Sequence, residues 1–231
     1  MRPLQPTPSI KDSILYEDAE ILLCHKKAGL SVQTKKLQEK DLISLLKNYL
    51  AQKSCPNPYL AVINRLDQPV EGIVLFAKTK EAAANLSRQL TQHNIQKKYL
   101  AITSVPLPDH TGTLKDYLKK DSRGNCSLVV SQDTRDGKLA VLDYKVLATD
   151  KTHSLVEITL HTGRHHQIRV QFSHIQAPLL GDRKYNGEEA GQLCLCSYLL
   201  SFAHPATKQQ LTFQVTPQNP AFQPFLSCLT Q

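Results

Sequence analysis

Asp67 is the residue whose surroundings could do chemistry. It lies in Ala61-Val62-Ile63-Asn64-Arg65-Leu66-Asp67-Gln68-Pro69-Val70-Glu71-Gly72, followed by the apolar run Ile73-Val74-Leu75-Phe76-Ala77. Apolar, β-branched segments bounded by Pro and Gly read as strands, so the carboxylate stands where one strand ends and a turn begins. An acid and an arginine there cost desolvation free energy unless they are paired or used. A structural Arg65–Asp67 pair in a hairpin and a functional acid both satisfy that condition, and this stretch leaves the two open.

A second cluster, His161-Thr162-Gly163-Arg164-His165-His166-Gln167-Ile168-Arg169, is dense in hydrogen-bond donors. His161 and His165 are four apart, a metal-binding spacing only if one helix carries both. Gly163 between them argues for a turn, and no Glu completes a His-Glu-x-x-His set. Arg164 and Arg169 with His166 and Gln167 instead suit an anion site near a helix start; a basic solvated turn is the plainer alternative. Tyr99 follows Lys97 and Lys98 at a strand start, either as core or as an aromatic beside cations that could stack a nucleobase. No metal site is assigned. Cys194 and Cys196 face one side of a strand, but their spacing is narrow for zinc, and the six scattered cysteines read as reduced thiols.

Elements must hold these groups in place. The pattern predicts strands at Ile14–Tyr16 and Ile21–His25, then a helix capped by Asp41 and running to about Lys53. A second helix is expected from Lys80 to about His93, and a strand from Lys98. Residues 106–140 read as polar and turn-rich, with short strands at Cys126–Val130 and Val141–Val146. Leu155–Leu160 is a strand, His165–His174 opens a helix, Leu179–Asp182 is a turn, and Leu193–Phe202 pairs with Gln210–Val215. Neighbouring strands outnumber helices, which suits an α+β fold with a mostly antiparallel sheet.

The chain has 231 residues, 41% of them hydrophobic, enough for one generous domain. The division expected is an arm at 1–11, a domain at 12–220 and a tail at 221–231. No stretch approaches the roughly 20 apolar residues of a membrane span, and the first residues lack a signal-peptide core, so a cytoplasmic protein is expected. The net charge of +8 favours an anionic partner, nucleic acid first. From Arg88 to Arg123, seven Lys and Arg face three acids. Walker and dinucleotide glycine spacings are missing, as is a Gly-x-Ser-x-Gly elbow.

Taken in order, several segments resemble one family. They are Leu15-Tyr16-Glu17-Asp18 through Ala28-Gly29-Leu30, then Arg65-Leu66-Asp67, then Lys98-Tyr99-Leu100-Ala101. Thr162-Gly163-Arg164 through Arg169, Pro178 through Asp182 with Tyr185 and Gly187, and Leu199 through Pro205 follow. Together they look like the RluA family of RNA pseudouridine synthases, over roughly residues 12–215. The resemblance implies the pseudouridine synthase fold with a central cleft and a cofactor-free isomerisation of uridine in ribosomal RNA or tRNA. It implies Asp67 as the catalytic carboxylate, Arg169 as its partner and Tyr99 against the base. Arg65 would fill the gap left by the flipped nucleotide. Arg164, Lys97, Lys98 and the basic segment 115–123 would contact phosphate, with His166, Gln167 and Ile168 beside the substrate. RNA is the only partner implied; a monomer is expected, and the small RNA-binding domain many members carry in front would be missing.

Four positions depart from the family pattern. Asn64 stands where His is usual, Gln68–Gly72 replaces a Thr-Ser-Gly turn, Lys27 replaces Pro, and His165 occupies a small polar position. These changes are expected at the rim and turn, bearing on RNA specificity. They also leave an alternative, an RNA-binding module on a catalytically decayed scaffold. A metal-dependent hydrolase using His161, His165 and Asp67 is a further alternative.

Overall fold

The computed structural model describes residues 9–34, 39–53, 56–121 and 123–229, without the side chains of the last two. The expected arm at 1–11 thus lies largely outside the described residues, as does Cys55. Within it, Ser9 caps a 3-10 turn over Ile10–Ser13, and Ile10 packs on the core.

Among the described residues, one mixed sheet of eleven strands forms the framework. The strands are β1 (Ile14–Glu17), β2 (Ile21–Lys26), β3 (Ala61–Val62), β4 (Glu71–Ala77), β5 (Gln96–Thr103), β6 (Thr111–Asp121), β7 (Cys126–Val130), β8 (Lys138–Thr149), β9 (Ser154–Leu160), β10 (Leu195–Ala203) and β11 (Gln210–Gln214). Their spatial order is β1-β2-β4-β10-β5-β9-β8-β6-β7, with β3 beside β4 and β11 beside β10. Every pairing between these strands is antiparallel except that of β4 with β10.

Alternation along the central strands separates two faces. Leu22, Cys24, Val74, Phe76, Tyr99 and Ala101 enter a core with α1 (Leu42–Lys53) and α3 (Gln167–His174). Ile21, Leu23, Ile73, Leu75 and Ala77 enter the opposite core with α2 (Lys80–Thr91). All seven residues of β4 are buried, because helices cover both faces. Its single glycine is forced. Gly72 has φ +129°, and a Cβ there would stand 2.4 Å from the Ser197 carbonyl of the parallel neighbour β10.

The helices follow their sequence signals. Asp41 Oδ1 accepts from the Ser44 N–H at 2.8 Å, capping α1, and Thr79 Oγ1 accepts from Ala82 N–H at 3.1 Å, capping α2. α3 begins two residues later than the pattern predicts. His166 precedes it with φ +54°, a left-handed backbone that ends the preceding turn.

Two expectations change. Residues 111–121 form a full strand, β6, with β8 and β7 on either side, and β8 runs to Thr149 rather than Val146. β6 reads as polar because it is largely unburied, with Leu118 alone fully buried. The expected tail is also not free. Pro220–Leu229 coils as a 3-10 helix whose Phe222 and Phe225 are buried against Leu100, Ile102 and Leu155. Buried Glu71 pins its approach, accepting from Gln218 N–H at 3.0 Å and Asn219 N–H at 3.2 Å.

Candidate active site

Asp67 sits in the β3–β4 turn, half-buried, at the floor of a cleft of about 80 Å³. Tyr99, Leu160, Leu195, Val70 and Ile168 form the apolar wall, and Arg65, Arg164, His166, Gln167 and Arg169 the polar one. The cleft opens into a wider groove of about 570 Å³, which adds Gln33, Lys120, Asn125, His165 and Lys184.

Two side chains from the start of α3 meet the carboxylate. Arg169 Nη1 lies 3.5 Å and His166 Nε2 lies 3.4 Å from Asp67 Oδ2. Arg169's principal partner is a residue the sequence reading placed only in a turn. Asp182 takes a bidentate pair from it, Nε to Oδ2 at 2.8 Å and Nη2 to Oδ1 at 2.7 Å, and is almost wholly buried. This fork-to-fork geometry fixes the guanidinium plane. Tyr185 adds its ring, 5.1 Å from the guanidinium carbon. Arg169 is therefore clamped from behind by Asp182, and its remaining arm reaches Asp67. The Asp182 carboxylate, Lys184 N–H and Tyr185 share one tight turn, so one loop builds the whole support.

A hydrogen-bond chain fixes His166 as well. Ser127 N–H donates to the Tyr185 hydroxyl at 2.7 Å, and that hydroxyl lies 2.8 Å from His166 Nδ1. With its oxygen already accepting, the phenol donates to Nδ1, so Nε2 carries the ring proton and points it at Asp67. Burial and then the nearby Arg169 charge push His166 down to about 3. The ring is thus a neutral donor at neutral pH.

Lys26 is fully buried behind the turn. Its Nζ donates to the carbonyls of Lys27 at 3.0 Å, Leu30 at 2.8 Å and Gln68 at 3.1 Å. It ties the early loop to the Asp67 turn, and burial brings it down to about 8. A lysine ending an apolar strand gave no sequence signal of this role, which depends on three carbonyls converging in space.

Tyr99 is 7% exposed and lines the cleft. Burial pushes its phenol up to about 12, so it stays protonated at neutral pH. Lys97 shares its face of β5, with Nζ 3.8 Å from where a Cβ of Gly163 would stand. Lys98 does not join the site. Strand alternation turns it to the opposite face, where Nζ meets Glu157 Oε2 at 2.6 Å. Gln167 touches the cleft but its amide is committed to the loop. Its Oε1 accepts from Thr162 Oγ1 and Arg164 N–H, and its Nε2 donates to the Val141 carbonyl. Ile168 is buried wall, while Arg65 and Arg164 are exposed at the mouth, with Arg164 Nε on the Leu139 carbonyl at 2.8 Å.

Asn64 is a buried staple rather than a rim residue. Its Nδ2 donates to the Ile73 carbonyl at 3.0 Å and its Oδ1 accepts from Leu75 N–H at 2.7 Å, both on β4. The histidines also separate. His161 Nε2 pairs with Asp143 at 2.6 Å on the exposed side of β8, whereas His165 stacks on His166 with centroids 3.8 Å apart. They do not converge on Asp67 as the metal-hydrolase alternative requires.

Comparison with known proteins follows the same lines. A family model described as RNA pseudouridylate synthase matches residues 20–174. The Bacillus subtilis protein named uncharacterized RNA pseudouridine synthase YlyB is 32% identical over 208 residues, covering 87% of this chain and 67% of its own. The tRNA pseudouridine synthase C of Haemophilus ducreyi is 30% identical, over 86% of this chain and 88% of its own. The ribosomal large subunit pseudouridine synthase D of Neisseria meningitidis is 31% identical over 93% of this chain, which spans only 60% of that relative. Among solved structures, human RNA pseudouridylate synthase domain containing 4 superposes with a TM-score of 0.76 at 24% identity. It covers 96% of this chain and 94% of its own and bears on the fold alone.

Proposed function

Because this chain belongs to the RNA pseudouridylate synthase family, we propose that it isomerises particular uridines of ribosomal RNA or tRNA, with Asp67 as the catalytic carboxylate. The observation that carries this reading is the placing of Asp67: open to the cleft, yet faced by an arginine that Asp182 holds rigid and by a neutral histidine donor. Such an acid is aimed at the cleft, as a nucleophile or eliminating base must be.

The isomerisation breaks the bond from uracil N1 to the ribose, turns the base, and joins C5 to the same sugar carbon. The proton lost from C5 is balanced by one gained at N1, so no redox partner or energy source enters. A target base must leave its stack to reach the cleft, at a cost of a few kcal/mol that is least in loops. Tyr99, Leu195 and Ile168 give it an apolar wall. Arg65, exposed at the mouth, would occupy the vacated space, and Arg164, Lys97 and Lys120 would meet the flanking phosphates. Ribosomal RNA and tRNA are both carried as substrates, since the relatives are named for each.

The test is to incubate wild type and Asp67→Asn, each checked for folding, with RNA from cells lacking this protein. Pseudouridine is then mapped by chemical adduct and reverse transcription. New sites with wild type alone support the reading. Sites formed equally by Asp67→Asn would remove Asp67 from its role, and RNA binding without new sites would favour a decayed binding module.

A further inference from the structure

His165 is the residue at the mouth that the reaction leaves unused. It is half-buried and lines the groove that leads from Asp67 and a second one floored by Leu118 and Ser127. Its ring lies parallel to that of His166, 19° between planes, so one face is already stacked. Ser127 sets its tautomer. The Ser127 hydroxyl donates its single proton to the His165 carbonyl at 2.7 Å, so its oxygen accepts from His165 Nδ1 at 3.0 Å. Nδ1 therefore carries the hydrogen, and Nε2 keeps a bare lone pair. The ring is held on one face by His166 and at Nδ1 by Ser127, whose N–H also feeds the Tyr185 hydroxyl that orients His166. Lys120, Lys184 and Arg164 line the same groove, a setting suited to a polyanion.

The geometry points to His165 as a specificity residue, one whose Nε2 accepts, in the plane of the ring, a hydrogen bond from the edge of the nucleotide next to the target uridine. An acceptor held rigid beside cations can read an unstacked base by its edge. The lone pair selects a base with an N–H on the presented edge and penalises one that offers only acceptors. The proposal rests on the reading of the chain as a uridine-modifying enzyme, because it takes the neighbour of a flipped uridine as its ligand.

The experiment uses a pool of RNA hairpins with one fixed loop uridine and random bases on either side. Wild type, Asp67→Asn, His165→Ala and His165→Phe are each compared for the RNA they retain and for pseudouridine at the fixed position. Wild type and Asp67→Asn are expected to enrich the same base at one flanking position. His165→Ala should flatten that bias and weaken retention of the favoured RNAs about tenfold, seen as a rise in KM. His165→Phe, which keeps a ring stacked on His166 but has no acceptor, should lose the bias as His165→Ala does. The inference is overturned if wild type shows no flanking preference, or if His165→Ala keeps it. It is overturned equally if both variants lose turnover alike on every RNA, which would mark a structural support of His166. A flanking bias that persists without any pseudouridine would count against the enzymatic reading and in favour of the contact.

Discussion

Asp182 and Arg169 decide what Asp67 can do. A buried arginine with half its partners removed is left as an uncompensated charge, costing about 3–5 kcal/mol. Asp182→Ala is therefore expected to lose stability of that order in urea unfolding. Asp182→Asn, which keeps the shape and an acceptor, should fold yet lose about 100-fold in turnover through a misaimed guanidinium. His166 carries a pH signature. Its proton is bound near pH 3 in the folded chain but near its ordinary value of about 6.5 when unfolded. Between those values the unfolded chain holds the extra proton, so stability falls as pH drops below about 6.5 and is unaffected above it. Unfolding at pH 7.5 and pH 5 should show this fall. His166→Asn, whose side chain tolerates the left-handed backbone, should show a smaller one. Tyr99→Phe keeps the ring and removes the hydroxyl, so retained RNA binding with lost turnover would assign the hydroxyl a chemical task.

At the scale of elements, the Asp67 turn is held by contacts made far away in sequence. Asn64 satisfies two backbone groups of β4, and Lys26 gathers three carbonyls from two loops. Asn64→Ala strands a buried carbonyl and a buried N–H, and about 2–4 kcal/mol of stability is expected to go. Gly72→Ala meets both a positive φ and the β10 backbone, with a comparable loss of about 2–4 kcal/mol. Thermal unfolding checks both. The sequence showed each of these residues but not its task. Asn64 looked like a rim substitution because its partners, Ile73 and Leu75, become neighbours only when the turn closes.

For the whole molecule, charge is sorted by face. Lys120 lines the groove, whereas Lys98 lies across the sheet, paired to Glu157. RNA affinity measured against salt should separate them. Lys120→Ala is expected to lower the log–log slope by about 0.7, the value for one single-strand phosphate contact. Lys98→Ala should leave the slope unchanged and cost at most about 1 kcal/mol of stability.

The sequence by itself determined the α+β class and the helix cap at Asp41, and its family resemblance grouped Asp67, Tyr99 and Arg169. Those are local signals: periodicity, turn residues, and donor types at fixed spacing. Tertiary structure alone decided that β6 is a strand, that Phe222 and Phe225 belong to the core, that Lys98 faces away, and that Asp182 and Tyr185 hold Arg169 and His166 against Asp67. A polar strand gains its hydrogen bonds only from neighbours such as β8, and a buried ion pair exists only once burial makes pairing obligatory. Neither condition is written in residues near each other along the chain.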